Sequence, residues 1–69
     1  MRAVVKVMLK GEAAKKVASA RDILRDLYGL SVSTKGRVVE GLAENVDDAA
    51  LAYPEISEAL FNGETEYIC

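Results

Sequence analysis

Apolar and polar positions alternate over residues 2–10: Ala3, Val5, Val7 and Leu9 fall on one side, Arg2, Val4, Lys6, Met8 and Lys10 on the other. A period of two predicts a strand buried on one face, with its basic residues on the other. Gly11 ends that pattern, and over residues 12–29 the period lengthens. At about 100° per residue, Ala13, Val17, Ala20, Leu24 and Leu27 gather on one side, with Ile23 and Tyr28 at the margins. Glu12, Lys15, Ser19, Asp22 and Asp26 point the other way. This predicts one amphipathic helix, closed by Gly29 as a left-handed C-cap.

Residues 30–33 then read as a strand, Thr34-Lys35-Gly36 as a tight turn with glycine at a positive-φ position, and residues 37–42 as the return strand. Leu30 and Val32 are expected to face the core, and the register leaves open which of Val38 and Val39 joins them. Residues 41–46 read as a connection, with Asn45 or Asp47 as the helix N-cap. A second helical segment covers residues 48–61, and Pro54 interrupts it. Proline lacks an N–H and biases Tyr53 away from helical torsions, so a kink is expected near Ala52 and Tyr53, with Pro54 opening the next helical piece. Ile56, Ala59 and Leu60 supply its buried face, and Asn62-Gly63 ends it. The tail, residues 64–69, sets Thr65, Tyr67 and Cys69 against Glu66 and Ile68, the alternation of a last strand.

The predicted order is strand, helix, strand, strand, helix, strand, a βαββαβ succession over a single domain, residues 1–69. It implies a compact two-layer α+β sandwich with ferredoxin-like order: an antiparallel sheet, two helices on one face, and the second helix kinked at Pro54. The layout is similar to that of small metal-carrier domains, which place a Cys-x-x-Cys pair after the first strand. This chain has Met8-Leu9-Lys10-Gly11-Glu12 there, so a copper or zinc carrier is not implied.

Composition narrows the chemistry. The 69 residues contain no histidine and one cysteine, Cys69, so neither an intrachain disulfide nor the usual nitrogen and sulfur zinc set is available. No general base near neutral pH, nucleophile elbow or phosphate-cradling glycine loop can be picked out, and no enzyme, metal or cofactor is expected. No apolar run has the length of a membrane span, and the expected setting is the cytoplasm. The charges are divided. All nine bases lie between Arg2 and Arg37 beside three acids, while eight acids and no base follow.

One string has a second reading. Tyr28-Gly29-Leu30-Ser31-Val32-Ser33-Thr34, followed by Arg37-Val38-Val39, resembles the turn and recognition-helix start of lactose-repressor-type helix-turn-helix regulators. That resemblance implies Lys35 and Arg37 in a DNA groove and an acidic C-terminal half free for a protein partner. Arg25, Lys35 and Gly36 depart from the pattern, and a hairpin accommodates Thr34-Lys35-Gly36 with fewer exceptions.

The leading functional expectation is a small non-enzymatic interaction or regulatory module that acts through protein contacts and self-associates, since exposed strand edges are natural pairing surfaces. The alternative is a nucleic-acid-binding regulator whose basic half contacts phosphates through Arg2, Lys6, Lys10, Lys35 and Arg37. A third is a small ligand-binding subunit using the sheet face opposite the helices or a dimer groove.

Overall fold

The computed structural model describes residues 3–68; Arg2 and Cys69 lie outside them. Strand β1 (Val4–Met8) leads into α1 (Gly11–Ser19) and α2 (Arg21–Tyr28); β2 (Ser31–Val32) and β3 (Val38–Leu42) follow, then α3 (Ala43–Ala52), α4 (Pro54–Phe61) and β4 (Thr65–Ile68). The four strands form one antiparallel sheet in the order β2-β3-β1-β4. The third strand and the first are therefore central. Val5 and Val7 of β1, Val39 of β3 and Val32 of β2 share one core with Val17, Leu24, Val46 and Ile56 of the four helices. The alternation read from residues 3–9 thus holds, and Val39 rather than Val38 faces inward.

The predicted helix over residues 12–29 is two helices. At Ala20 (φ −98°, ψ 13°) the N–H bonds to the Val17 carbonyl, three residues back instead of four, at 3.1 Å. Ser19 Oγ donates to the Lys15 carbonyl at 3.1 Å, a back-bond of the kind that bends helices. The break changes the phase of the apolar stripe. Val17 and Leu24 are fully buried and Ala14 joins them, but Leu27, expected inside, is 74% exposed. Gly29 closes α2 as expected at φ 66°, with Leu30 N–H reaching back to the Leu24 carbonyl at 3.1 Å.

Residues 31–42 form a hairpin, which overturns the helix-turn-helix resemblance: Ser31 pairs with Glu40 and Val32 with Val39. Gly36 N–H bonds to the Ser33 carbonyl at 2.9 Å, and Ser33 Oγ accepts from the N–H groups of Arg37 and Val38, both at 3.0 Å. The turn is also pressed onto α1. Gly36 has φ 71°, and a Cβ there would collide with the Ala14 carbonyl oxygen and lie 2.7 Å from the Ala18 nitrogen.

The expected connection at residues 41–46 is absent. Gly41 and Leu42 remain in β3, paired with Val5 and Val4, and α3 starts at Ala43 without a side-chain cap from Asn45 or Asp47. Gly41 stays in the strand because the Leu30 side chain packs where its Cβ would be. At Pro54 the helix is interrupted outright. Tyr53 is extended (φ −125°, ψ 96°) and Pro54 opens α4, as its missing N–H and fixed φ dictate. Tyr53 then meets Tyr28 edge-to-face, with ring centroids 6.5 Å apart, tying the end of α2 to the α3–α4 junction.

Candidate functional site

The helices cover one face of the sheet, and among the described residues no element covers the other. Strand alternation sends Val4, Lys6 and Met8 of β1, Val38, Glu40 and Leu42 of β3, Ser31 of β2 and Glu66 and Ile68 of β4 to that open face. Cross-strand register sorts them into three layers. Val4 stands between Leu42 and Ile68, Lys6 between Glu40 and Glu66, and Met8 beside Val38. Val4, Leu42 and Val38 are half-buried by their neighbours alone, and Met8 and Ile68 are exposed by 39% and 42%. Two aliphatic rows thus bracket one row of charge.

The two edges of the sheet differ. On β2, Arg21 Nε donates to the Val32 carbonyl at 2.8 Å, so a side chain occupies an outward-facing acceptor. On β4, the Met8 N–H to Glu64 carbonyl bond of 2.9 Å sets the alternation, and Thr65 and Tyr67 turn their main-chain groups to the free side.

The bases expected to contact phosphates do not form one patch. Lys6 is centred on the open face between two carboxylates. Lys10 lines a hollow of about 150 Å³ together with Glu55, Glu58 and Glu64. Lys35 and Arg37 flank the hairpin tip and do come together, in a cleft of about 400 Å³ against α1, where Lys15 joins them. Arg2 lies outside the described residues. Arg25, which is not among them, sits on the exposed side of α2, where its hydrogen bond to Asp26 (3.0 Å), then the charges of Asp26 and Asp22, hold its pKa above the usual value.

Sequence reasoning did not connect Lys6 with Glu40 and Glu66, nor Lys15 with the hairpin. Both groupings depend on register between distant segments. Among the described residues, no group of three or more histidine, cysteine, aspartate or glutamate side chains gathers as a metal site, and no helix is long and apolar enough to cross a membrane. No protein-family model, curated protein or solved structure matches the chain.

Proposed function

We propose that this chain is a ferredoxin-like, non-catalytic interaction module that pairs with a second copy of itself through the open face of its sheet. The fold assignment rests on central β1 and β3, edge strands β2 and β4, and helical segments that link β1 to β2 and β3 to β4. In this reading each expected helix is present as a broken pair. The same reading sets the protein in the cytoplasm, in keeping with a single cysteine.

The observation that carries the pairing is the self-complementarity of the three layers. A twofold axis between two facing sheets, parallel to the central strands, lays β1 of one copy over β3 of the other. Lys6 then faces the second copy's Glu40, and Glu40 its Lys6, the reciprocal contact that an isologous interface requires. The same operation sets Val4 over Leu42 and Met8 over Val38. Apolar rows meet apolar rows and opposite charges meet, so complementary charge fixes the register.

Two central strands of five residues, flanked by β2 of two and β4 of four, with neighbours about 4.8 Å apart, present a face of at most roughly 19 by 17 Å. That is small beside the roughly 800 Å² per partner of standard interfaces, so the dimer should dissociate on dilution. Two of the most exposed apolar side chains elsewhere supply no such match. Leu51 and Phe61, 89% and 90% exposed, belong to the acidic half, where a second copy would bring like charge.

Light scattering over a wide concentration range, combined with amide exchange, tests the proposal. A monomer–dimer equilibrium with unchanged exchange at Thr65 and Tyr67 is expected. A strict monomer at millimolar concentration would refute self-association. Concentration-dependent protection of Thr65 and Tyr67 would move the contact to the free edge of β4.

A further inference from the structure

The cleft between α1 and the β2–β3 turn lies off the open sheet face, and self-pairing does not use it. Gly11, Ala14 and Ala18 line it from α1, Lys15 stands at its rim, and Lys35 and Arg37 enter from the turn. Its existence follows from the sequence. Small residues along this flank of α1 and a glycine at position 36 let the turn rest on helix backbone, leaving a shallow floor without large side chains.

The turn is held in place as well. Gly36 N–H is bonded to the Ser33 carbonyl, and Ser33 Oγ takes both the Arg37 and Val38 N–H groups. Arg37 therefore leaves from a fixed backbone. Lys15 has Glu12 at 3.5 Å, but no carboxylate lines the cleft, and among the described residues neither Lys35 nor Arg37 is in an ion pair.

Three basic residues lining one largely apolar cleft, with no carboxylate among its lining residues, suit an anion with an apolar body. The volume, about 400 Å³, falls within the roughly 300–1,000 Å³ of small-molecule sites. Guanidinium and ammonium groups bind phosphate oxygens through charge-assisted hydrogen bonds, and arginine can do so with two N–H groups at once. We propose that this cleft binds a small phosphate monoester, its phosphate among Lys15, Lys35 and Arg37 and its organic group on Gly11, Ala14 and Ala18.

The test is an amide-shift titration of the full chain with phenyl phosphate, inorganic phosphate and a short single-stranded oligonucleotide, at near-physiological salt. Phenyl phosphate should give saturable shifts at Gly11, Ala14, Ala18 and Gly36, and should bind more tightly than inorganic phosphate, which has no group for the floor. Lys35→Ala and Arg37→Ala, exposed positions whose loss leaves the core intact, should each weaken binding about tenfold. Lys16→Ala, outside the cleft, should leave it unchanged. Non-saturating shifts, equal losses from all three variants, or an oligonucleotide that displaces phenyl phosphate from these residues would overturn the assignment. Because the probes report on the cleft alone, failure here leaves the sheet-face pairing standing, and failure of pairing leaves the cleft.

Discussion

Gly36→Ala should be far more damaging than an alanine in a turn ordinarily is. Two costs combine at this position. With φ 71° the backbone is left-handed, which costs an alanine about 1–2 kcal/mol. The added Cβ would also strike the Ala14 carbonyl and stand 2.7 Å from the Ala18 nitrogen; both are helix backbone and cannot rotate aside. Moving the turn off α1 is an overpacking penalty of about 1–3 kcal/mol. The sum, roughly 2–5 kcal/mol, is a large share of the roughly 3–10 kcal/mol that a domain of this length holds.

Gly63→Ala separates the two costs. Gly63 has φ 73°, but nothing lies within 4 Å of its missing Cβ, so only the conformational cost of about 1–2 kcal/mol applies. Urea unfolding followed by circular dichroism would compare the midpoints of both variants with the parent. The reasoning predicts that Gly36→Ala loses at least about 1 kcal/mol more than Gly63→Ala. Equal losses would refute it, since they would mean the turn does not rest on α1.

Other substitutions probe separate joints. Leu24→Ala empties a fully buried site under α2 and should cost about 2–5 kcal/mol, read as a lower urea midpoint. Leu27→Ala, one turn further along the same helix but exposed, should stay within about 0.5 kcal/mol of the parent. Arg21→Ala frees the Val32 carbonyl on the β2 edge and should cost about 1 kcal/mol. No loss at Arg21 would show that the bond exchanges freely for water.

The legibility of this chain was uneven, and the reasons are physical. Alternation placed Val5, Val7 and Leu9 inside correctly because a strand's period is fixed by its backbone. Gly29 and Pro54 announced a helix end and a helix start because glycine, without a Cβ, permits the left-handed φ of a C-cap, whereas proline fixes φ and lacks the N–H. The break at Ala20 carried no such mark. Alanine favours helix, and the features that accompany the break, a serine back-bond and the three-residue bond from Ala20 N–H to the Val17 carbonyl, leave no trace in the local period.

The early start of α3 escaped notice for a related reason. Gly41 reads both as the end of the return strand and as the start of a connection; it belongs to the strand, where its missing Cβ admits the Leu30 side chain, and α3 follows at once. The candidate sites were harder still. Lys6 was visible as a base on an outer face, but its neighbours Glu40 and Glu66 come from strands far along the chain, and only the sheet register brings them together. Lys15 looked like one more solvent-facing helix residue until the turn was found resting beside it.

The central claim, that two copies meet through Lys6 and Glu40, is tested most directly by opposite charge changes on separate chains. Lys6→Glu sets acid against acid across the twofold axis, and Glu40→Lys sets base against base. Each change converts two symmetric attractions into repulsions and should weaken the homodimer by about 2–4 kcal/mol after screening. Mixed in equal amounts, the variants regain opposite charges across the axis: the new acid at position 6 of one chain faces the new base at position 40 of the other, and the unchanged Glu40 of the first faces the unchanged Lys6 of the second. Sedimentation velocity should show each variant alone as a folded monomer and the mixture as a heterodimer. Variants that dimerise alone as the parent does, or that remain monomers when mixed, would contradict the account.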